Sequence, residues 1–455
     1  MAAFHISYRA FSAAIAAILI CLLFAQGTAQ TFDAAALDSV IKAELEQAGT
    51  PGAAVAVIKD GRVLFSRGYG TTSSESGVPI TEATLFRMGS TTKMFTAAAA
   101  LAAASGKMRA DEPVGRRVKG IDPAIAKLTL HQLLSQSSGL RDFAPIKDGH
   151  DDAVLGENIR LWRQDAFFTE PETIYSYSSA NYWLAGLAIE ELTGRAYADA
   201  VAELILRPLG MQRSTIRSFE AMTYPMALGH TIEGGKAKVV RPIDNNAAKY
   251  PGGSLYSSIE ELSRFAIAML DAGRVDGKQA IPAEIVAELK KPQFILPGGD
   301  AFYGYGLLGY EVRGVPTVSH GGVSRGYGST IFFAPEQRAA VIVLANSNGQ
   351  TLPKTRMAAI EMLIRESAVS EARKPQGIST PLASFVGRYE HAPQAWEFSE
   401  KGGKLIVNTD GKEFELERAG DTEFNYERGP IVFVKNGAGK YEHIFMGLYA
   451  ARRVK

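Results

Sequence analysis

Arg87-Met88-Gly89-Ser90-Thr91-Thr92-Lys93, with the alanine-rich run behind it as far as Ala104, is the part of the chain around which the rest can be organised. Arg87-Met88-Gly89 reads as a turn, and the alanines predict a buried helix over 91–104. Residues three apart share a helix face, so the amine of Lys93 can reach the hydroxyl of Ser90. A serine at a helix start also lies near free backbone N–H groups and the positive end of the helix dipole. A lysine kept neutral by loss of solvent could take the serine proton and create a nucleophile. The spacing is common, and Ser39-Val40-Ile41-Lys42 repeats it. That copy falls inside an amphipathic helix predicted over 34–48, where it belongs to the surface.

Two polar clusters follow downstream. Tyr175-Ser176-Tyr177-Ser178-Ser179-Ala180-Asn181-Tyr182 precedes an apolar helix predicted over 183–192. Ser178 or Ser179 fits the helix cap. The phenol of Tyr177 serves acid–base chemistry only where a cation lowers its pKa. Ser319-His320-Gly321-Gly322 stands just before a predicted hairpin, and its glycines allow a close approach to a strand edge. A lone histidine is more often structural than catalytic.

Strand signals sit at both ends of the main region. One hairpin is predicted over 53–58 and 62–67 around Asp60-Gly61, and another over 329–334 and 339–345 around Pro335-Glu336. Helices with short loops fill 155–212, and a helical stretch over 352–367 closes the region. This pattern predicts an α+β (broadly α/β) fold: an antiparallel sheet from both chain ends, flanked by helices, with an inserted helical subdomain and a cleft between them. Residues 367–381 read as a linker. Residues 382–455 read as short strands parted by Gly402-Gly403, Asp410-Gly411, Gly420-Asp421 and Asn436-Gly437, a small antiparallel barrel-like domain. It is short for an independent core, so it is expected to dock on the first domain and to supply no catalytic residue.

The 455 residues suit two domains, and a 46% hydrophobic content allows a large core. Lys plus Arg number 49 against 48 for Asp plus Glu, which argues against a nucleic-acid partner. Residues 1–29 have the layout of a secretory signal: Arg9, an apolar run from Ala10 to Ala25, then Gly27 and Ala29. The run is shorter than the about 20 residues of a membrane span. The expected product is periplasmic or secreted, begins at Gln30 and has no stable membrane insertion. Cys21, the one cysteine, lies in the leader, leaving residues 30–366 and the tail without a thiol. The histidines at 131, 150, 230, 320, 391 and 443 show no ligand spacing, so no metal or other cofactor is expected.

Taken together and in order, Ser90-x-x-Lys93, Tyr177 and His320-x-Gly322 resemble the signature of the penicillin-binding-protein/β-lactamase superfamily: class C β-lactamases, serine D-alanyl-D-alanine carboxypeptidases and related esterases. Leu133-Leu134 with Ser138-Gly139-Leu140, Pro208-Leu209-Gly210-Met211, Gly252-Gly253-Ser254-Leu255 and Tyr303-Gly304-Tyr305-Gly306 add secondary matches, and the likeness covers roughly 35–365. The resemblance implies Ser90 as the acylated nucleophile, Lys93 as its proton partner, and Tyr177 as the phenol that assists acylation and activates the deacylating water. It implies an oxyanion hole from the N–H groups of Ser90 and Val323, and a substrate site including Ser179, Asn181, His320 and Gly322. Two departures weaken the β-lactamase reading. Ser179 stands where the family has an asparagine that holds the substrate amide, and His320 stands where class C enzymes have lysine. Phe385-Val386-Gly387-Arg388-Tyr389 resembles the small β-barrel appended to some family peptidases. The implied function is an exported serine hydrolase forming an acyl-enzyme on a small ester or a D-amino-acid-containing peptide or amide. A class C-like β-lactamase, an acyltransferase and a non-hydrolytic module binding cell-wall peptide are the alternatives. The implied partner is a small-molecule or peptide substrate; the oligomeric state is left open.

Overall fold

The computed structural model describes residues 32–365 and 377–454. The leader read at 1–29, Cys21 and most of the linker at 367–381 lie outside the described residues. In chain order the elements that position the site are helix α1 (Ala34–Ala48), strands β1 (Gly52–Lys59) and β2 (Arg62–Gly70), helices α2 (Thr92–Ala104), α3 (Ser179–Thr193) and α4 (Ile259–Leu270), and strands β3 (Phe294–Ile295), β4 (Phe302–Tyr303), β5 (Leu308–Val312), β6 (Val315–Ser324), β7 (Tyr327–Ala334) and β8 (Ala339–Ala345). Helix α5 (Pro353–Leu363) closes the first domain.

The eight strands form one sheet in the order β2-β1-β8-β7-β6-β5-β4-β3, with every neighbouring pair antiparallel. The first and last strands of this domain's chain path meet inside it, where Val55 pairs with Val343. Side chains alternate between its faces, as the period of a strand requires. Val55, Val57, Val341 and Val343 pack on Leu37 and Ile41 of α1 and on Ile360 and Leu363 of α5. Ala54, Ala56, Ile342 and Leu344 turn to the other face, where helices cover them. There Phe265 of α4 stacks on Phe95 of α2 at 4.2 Å and meets Phe333 of β7 edge-on. Burying each such ring is worth about 1.5–3 kcal/mol.

Local chemistry sets the helix ends. The Asp33 carboxylate accepts the N–H groups of Ala35 and Ala36 to start α1, and Gly49 stops it in the left-handed region at φ 61°. The buried Glu44 of α1 accepts the N–H groups of Lys354 and Thr355 at 2.9 and 2.7 Å. One acid thus caps α5 and ties the two helices together.

Residues 387–454 hold eight strands, from Gly387–His391 to Tyr449–Val454, closed into a barrel by pairing of the first with the last. Phe385, Tyr389, Phe398 and Phe433 fill its interior. The barrel docks on the first domain through a shared cluster: Phe168, Ile174, Tyr175, Tyr177 and Tyr303 pack with Phe445 and Ala450. Thr169 Oγ1 and His443 Nε2 lie 3.0 Å apart across the same boundary. Among the described residues no helix is long and apolar enough to cross a membrane.

Candidate active site

Ser90 lies in the 3₁₀ turn Gly89–Thr91, which runs directly into α2. Hydroxyls pin this turn. Thr91 Oγ1 donates to Met88 O at 2.8 Å, and Thr92 Oγ1 donates to Gly89 O at 2.7 Å while accepting the Leu255 N–H. Gly89 has φ 54°, and a Cβ there would press on the Val323 backbone at 2.8 Å. Only glycine lets the serine turn approach β6 so closely.

Lys93 is fully buried one turn into the helix. Its Nζ donates to Gly252 O at 2.8 Å and lies 3.2 Å from Ser90 Oγ. The amine sits 4.8 Å from the centre of the Tyr177 ring and 5.5 Å from that of Tyr182. Burial pulls its pKa from 10.5 down to about 7, against the opposing charge of Asp142. A good share of the molecules therefore carry a neutral amine at pH 7, able to accept the serine proton.

Tyr177 stands on the extended segment before α3. Gln136 holds that segment: its carbonyl accepts the Ser176 N–H, and its side-chain oxygen accepts the N–H of Ser178 at 2.9 Å. From the barrel, the carbonyl of Leu448 accepts the Tyr177 N–H at 2.8 Å, and the Ala450 N–H donates to Ser176 Oγ at 3.1 Å. Burial pushes the Tyr177 phenol well above its ordinary value, with the Tyr303 hydroxyl adding to the shift and the nearby Ser90 hydroxyl opposing it. The phenol and the serine hydroxyl are neighbours, but no hydrogen bond between them is fully formed. No cation lowers this pKa as the acid–base role required; burial dominates, so the Tyr177 phenol stays protonated and can donate a proton but is no resting base.

His320 lies in β6, the strand directly ahead of the β7–β8 hairpin, and is almost fully buried. Its Nδ1 faces the carbonyl of Gly321 at 2.6 Å, so that nitrogen bears the proton, and Nε2 accepts the Tyr303 hydroxyl at 3.1 Å. Burial, then the nearby Lys93 charge, drop its pKa to about 3. The ring stands 6.3 Å from that of Tyr177, across the cleft. Gly322 packs so tightly that a Cβ would run into Met88 O and the Ser329 hydroxyl and come within 3.1 Å of Ser90 N. Val323, next along, is exposed, with its backbone against Gly89.

The structure thus gathers Ser90, Lys93, Tyr177, His320, Gly322 and the Val323 backbone, with the half-buried Ser179 beside Gly252. Asn181 is not brought in. It is wholly buried in α3, where its Oδ1 accepts from Ser138 Oγ and its Nδ2 donates to Gln136 Oε1 at 2.6 Å. Its amide is spent on packing because position 181 faces the domain interior. Neither serine caps α3 by its side chain. Ser178 Oγ donates to Arg141 O at 2.7 Å, and the Asp142 carboxylate takes the Ser179 N–H at 2.8 Å. Asp142, Gln136, Leu448 and Tyr449 were missed from the sequence, having no spacing signal that ties them to Tyr177. Among the described residues no group of three or more His, Cys, Asp or Glu gathers at one point.

A hydroxyl beside a desolvated amine, with a protonated phenol close by and free backbone N–H groups at a helix start, can open an acyl bond through a covalent intermediate. A family model described as Beta-lactamase matches residues 37–364. A D-aminopeptidase of Gluconobacter oxydans is 30% identical over 323 residues, 69% of this chain and 59% of that protein. Protein flp of Staphylococcus aureus (strain MW2) is 26% identical over 70% of this chain and 64% of its own length. The chain thus spans about three-fifths of the curated relatives it matches. Among solved structures, that of SurE matches with a TM-score of 0.75 at 21% identity, covering 92% of this chain and 98% of the other. The octameric penicillin-binding protein homologue from Pyrococcus abyssi matches at 0.63 with 22% identity, covering 92% and 99%. These two likenesses are of fold. The family match takes in the whole eight-stranded sheet together with Ser90, Lys93, Tyr177 and His320, and the chain belongs to the β-lactamase family, a fold family of serine hydrolases.

Proposed function

We propose that the chain is an exported serine hydrolase that forms an acyl-enzyme on Ser90 and acts on a small ester or a D-amino-acid-containing peptide or amide. The observation that carries this reading is the buried Lys93 amine, 3.2 Å from Ser90 Oγ with its pKa near 7. In its neutral form Lys93 takes the Ser90 proton as Oγ bonds to the substrate carbonyl carbon. The negative charge on the carbonyl oxygen falls to the N–H groups of Ser90 and Val323. Tyr177, still protonated, gives its proton to the leaving group as the acyl bond breaks, and recovers one from Lys93. Water then attacks the ester, with the same pair handling its proton, and frees Ser90 and the product acid.

The D-amino-acid class is supported by the 30% identity to a D-aminopeptidase. A neutral His320 with both nitrogens engaged offers no charge to a substrate carboxylate, which favours esters and peptides over β-lactams. The test compares kcat/KM for a short-chain p-nitrophenyl ester, a D-alanyl amide and a chromogenic cephalosporin, with intact mass to find the adduct. Ser90→Ala is expected to abolish turnover and labelling. Ser39→Ala is expected to change neither, since Ser39 Oγ only donates to Ala35 O on α1. An active Ser90→Ala enzyme overturns the mechanism, and a cephalosporin rate above the other two overturns the substrate order. Export rests on the layout of residues 1–29, and N-terminal sequencing of the periplasmic or secreted protein is expected to begin at Gln30.

A further inference from the structure

Between the barrel and the first domain lies a cavity of about 430 Å³, lined by Asp142, Trp396, Tyr426, Arg428, Met446 and Tyr449. Its charges are unequal in standing. Arg428 is paired with Asp410 at 2.7 Å and lies over the Phe414 ring, so its charge is already answered. His391, also at the wall, gives its Nδ1–H to Ala450 O at 2.7 Å and faces the Asp142 N–H with Nε2 at 3.4 Å; burial keeps it neutral. Asp142 has no ion pair among the described residues. One carboxylate oxygen accepts the Ser179 N–H, and no described hydrogen bond reaches the other. The carboxylate thus faces a space walled by aromatic rings. Such a wall favours a cation, through the ring faces and through a charge-assisted hydrogen bond.

The same carboxylate also borders the segment that carries Tyr177. It is bonded to Ser179 at the start of α3, two residues after Tyr177. The Tyr449 ring joins cavity to centre, standing 6.2 Å from the Tyr177 ring and 6.4 Å from that of His391. Ser179 itself is too short to reach a substrate amide as a longer carboxamide side chain could. We propose that Asp142, with the Tyr449 ring beside it, receives the free ammonium of the substrate's acyl residue, so that the enzyme selects unblocked amino-acid amides, esters or peptides over N-acylated ones. The inference rests on the acyl-enzyme reading above and names its substrate class.

The test measures kcat/KM for D-alanine p-nitroanilide and for its N-acetyl derivative, on the full chain and on Asp142→Asn. Asparagine keeps an oxygen for the Ser179 N–H and removes the charge. The unchanged protein at pH 7 is expected to prefer the free amine by about 10- to 100-fold, the worth of a charge-assisted hydrogen bond. In Asp142→Asn the preference should fall to within about threefold, with the change lying in KM. A second measurement needs no variant. The preference should fade as pH rises through about 8, where an α-amino group loses its proton. A protein that takes both substrates alike, an Asp142→Asn variant that keeps the preference, or a preference indifferent to pH each overturns the proposal. Burst labelling of Ser90 by p-nitrophenyl acetate is run on the same samples. Its absence sinks the acyl-enzyme reading itself, whereas labelling without amine preference sinks only the ammonium site.

Discussion

Lys93 carries two linked consequences of one physical fact, the loss of solvent around its amine. With its pKa at about 7 rather than 10.5, roughly half of the molecules hold a neutral amine at pH 7, against roughly one in three thousand for an ordinary lysine. Acylation of Ser90 by p-nitrophenyl acetate, followed in single turnover from pH 5 to 9, should therefore rise about tenfold per pH unit below 7 and level off above about 8. The same shift costs stability. The folded pKa lies below the unfolded one, so between about 7 and 10.5 the unfolded chain holds the extra proton and stability rises with pH. Near pH 7 the penalty is almost fully present, about 5 kcal/mol at most. Lys93→Met removes it but leaves the Gly252 carbonyl without its donor, a loss of about 1–3 kcal/mol. The variant should then be inactive yet more stable than the parent by about 2–4 kcal/mol at pH 7, and no more stable near pH 10. Urea unfolding at the two pH values measures this. A flat acylation profile, together with a variant less stable at pH 7, would refute the desolvated-base argument.

Gly322→Ala should cut acylation by more than about 100-fold with the far-UV spectrum preserved, because the new methyl meets Met88 O and crowds Ser90 N. Asn181→Ala should leave KM for an ester near the parent value and lower stability by about 1–3 kcal/mol in urea unfolding, since Gln136 and Ser138 lose a buried partner. Ser176→Ala removes the acceptor of the Ala450 N–H, and should lower both the melting temperature and the acylation rate modestly by loosening the barrel behind Tyr177.

Much of the fold was legible because its signals are local. Asp60-Gly61 marks the first hairpin and α1 spans 34–48; both were placed from the residues alone. The continuous apolar run over 339–345 likewise became a strand buried on both faces. Strands β3 to β6 were not read, for physical reasons. They are short or broken by residues such as Pro316, Gly321 and Gly322, and their stability comes from neighbours in the sheet rather than from their own side chains. His320 was consequently placed only ahead of the later hairpin, whereas it sits in the middle of the β6–β7 pairing, opposite Ile331.

The site divides in the same way. The i, i+3 spacing placed Lys93 against Ser90, since that contact lies within one helix turn. What makes the lysine chemically useful is not local: the Gly252 carbonyl and the rings of Tyr177 and Tyr182 dry its amine, and they come from two distant segments. Asn181 misled because residue type suggested a substrate ligand while its position on α3 turned it inward. The tail was expected to dock on the first domain without supplying a catalytic residue; its last hairpin gives Leu448 O to the Tyr177 N–H and sets Tyr449 against the Tyr177 ring. Such a contact pairs two segments that meet only when both domains have folded, so neither contains a pattern that announces the other. It also means that the phenol is held from two sides: Gln136 anchors the segment from the first domain and the barrel anchors it from the second. The placement of the proposed proton donor therefore depends on the docking of the barrel as well as on the first domain.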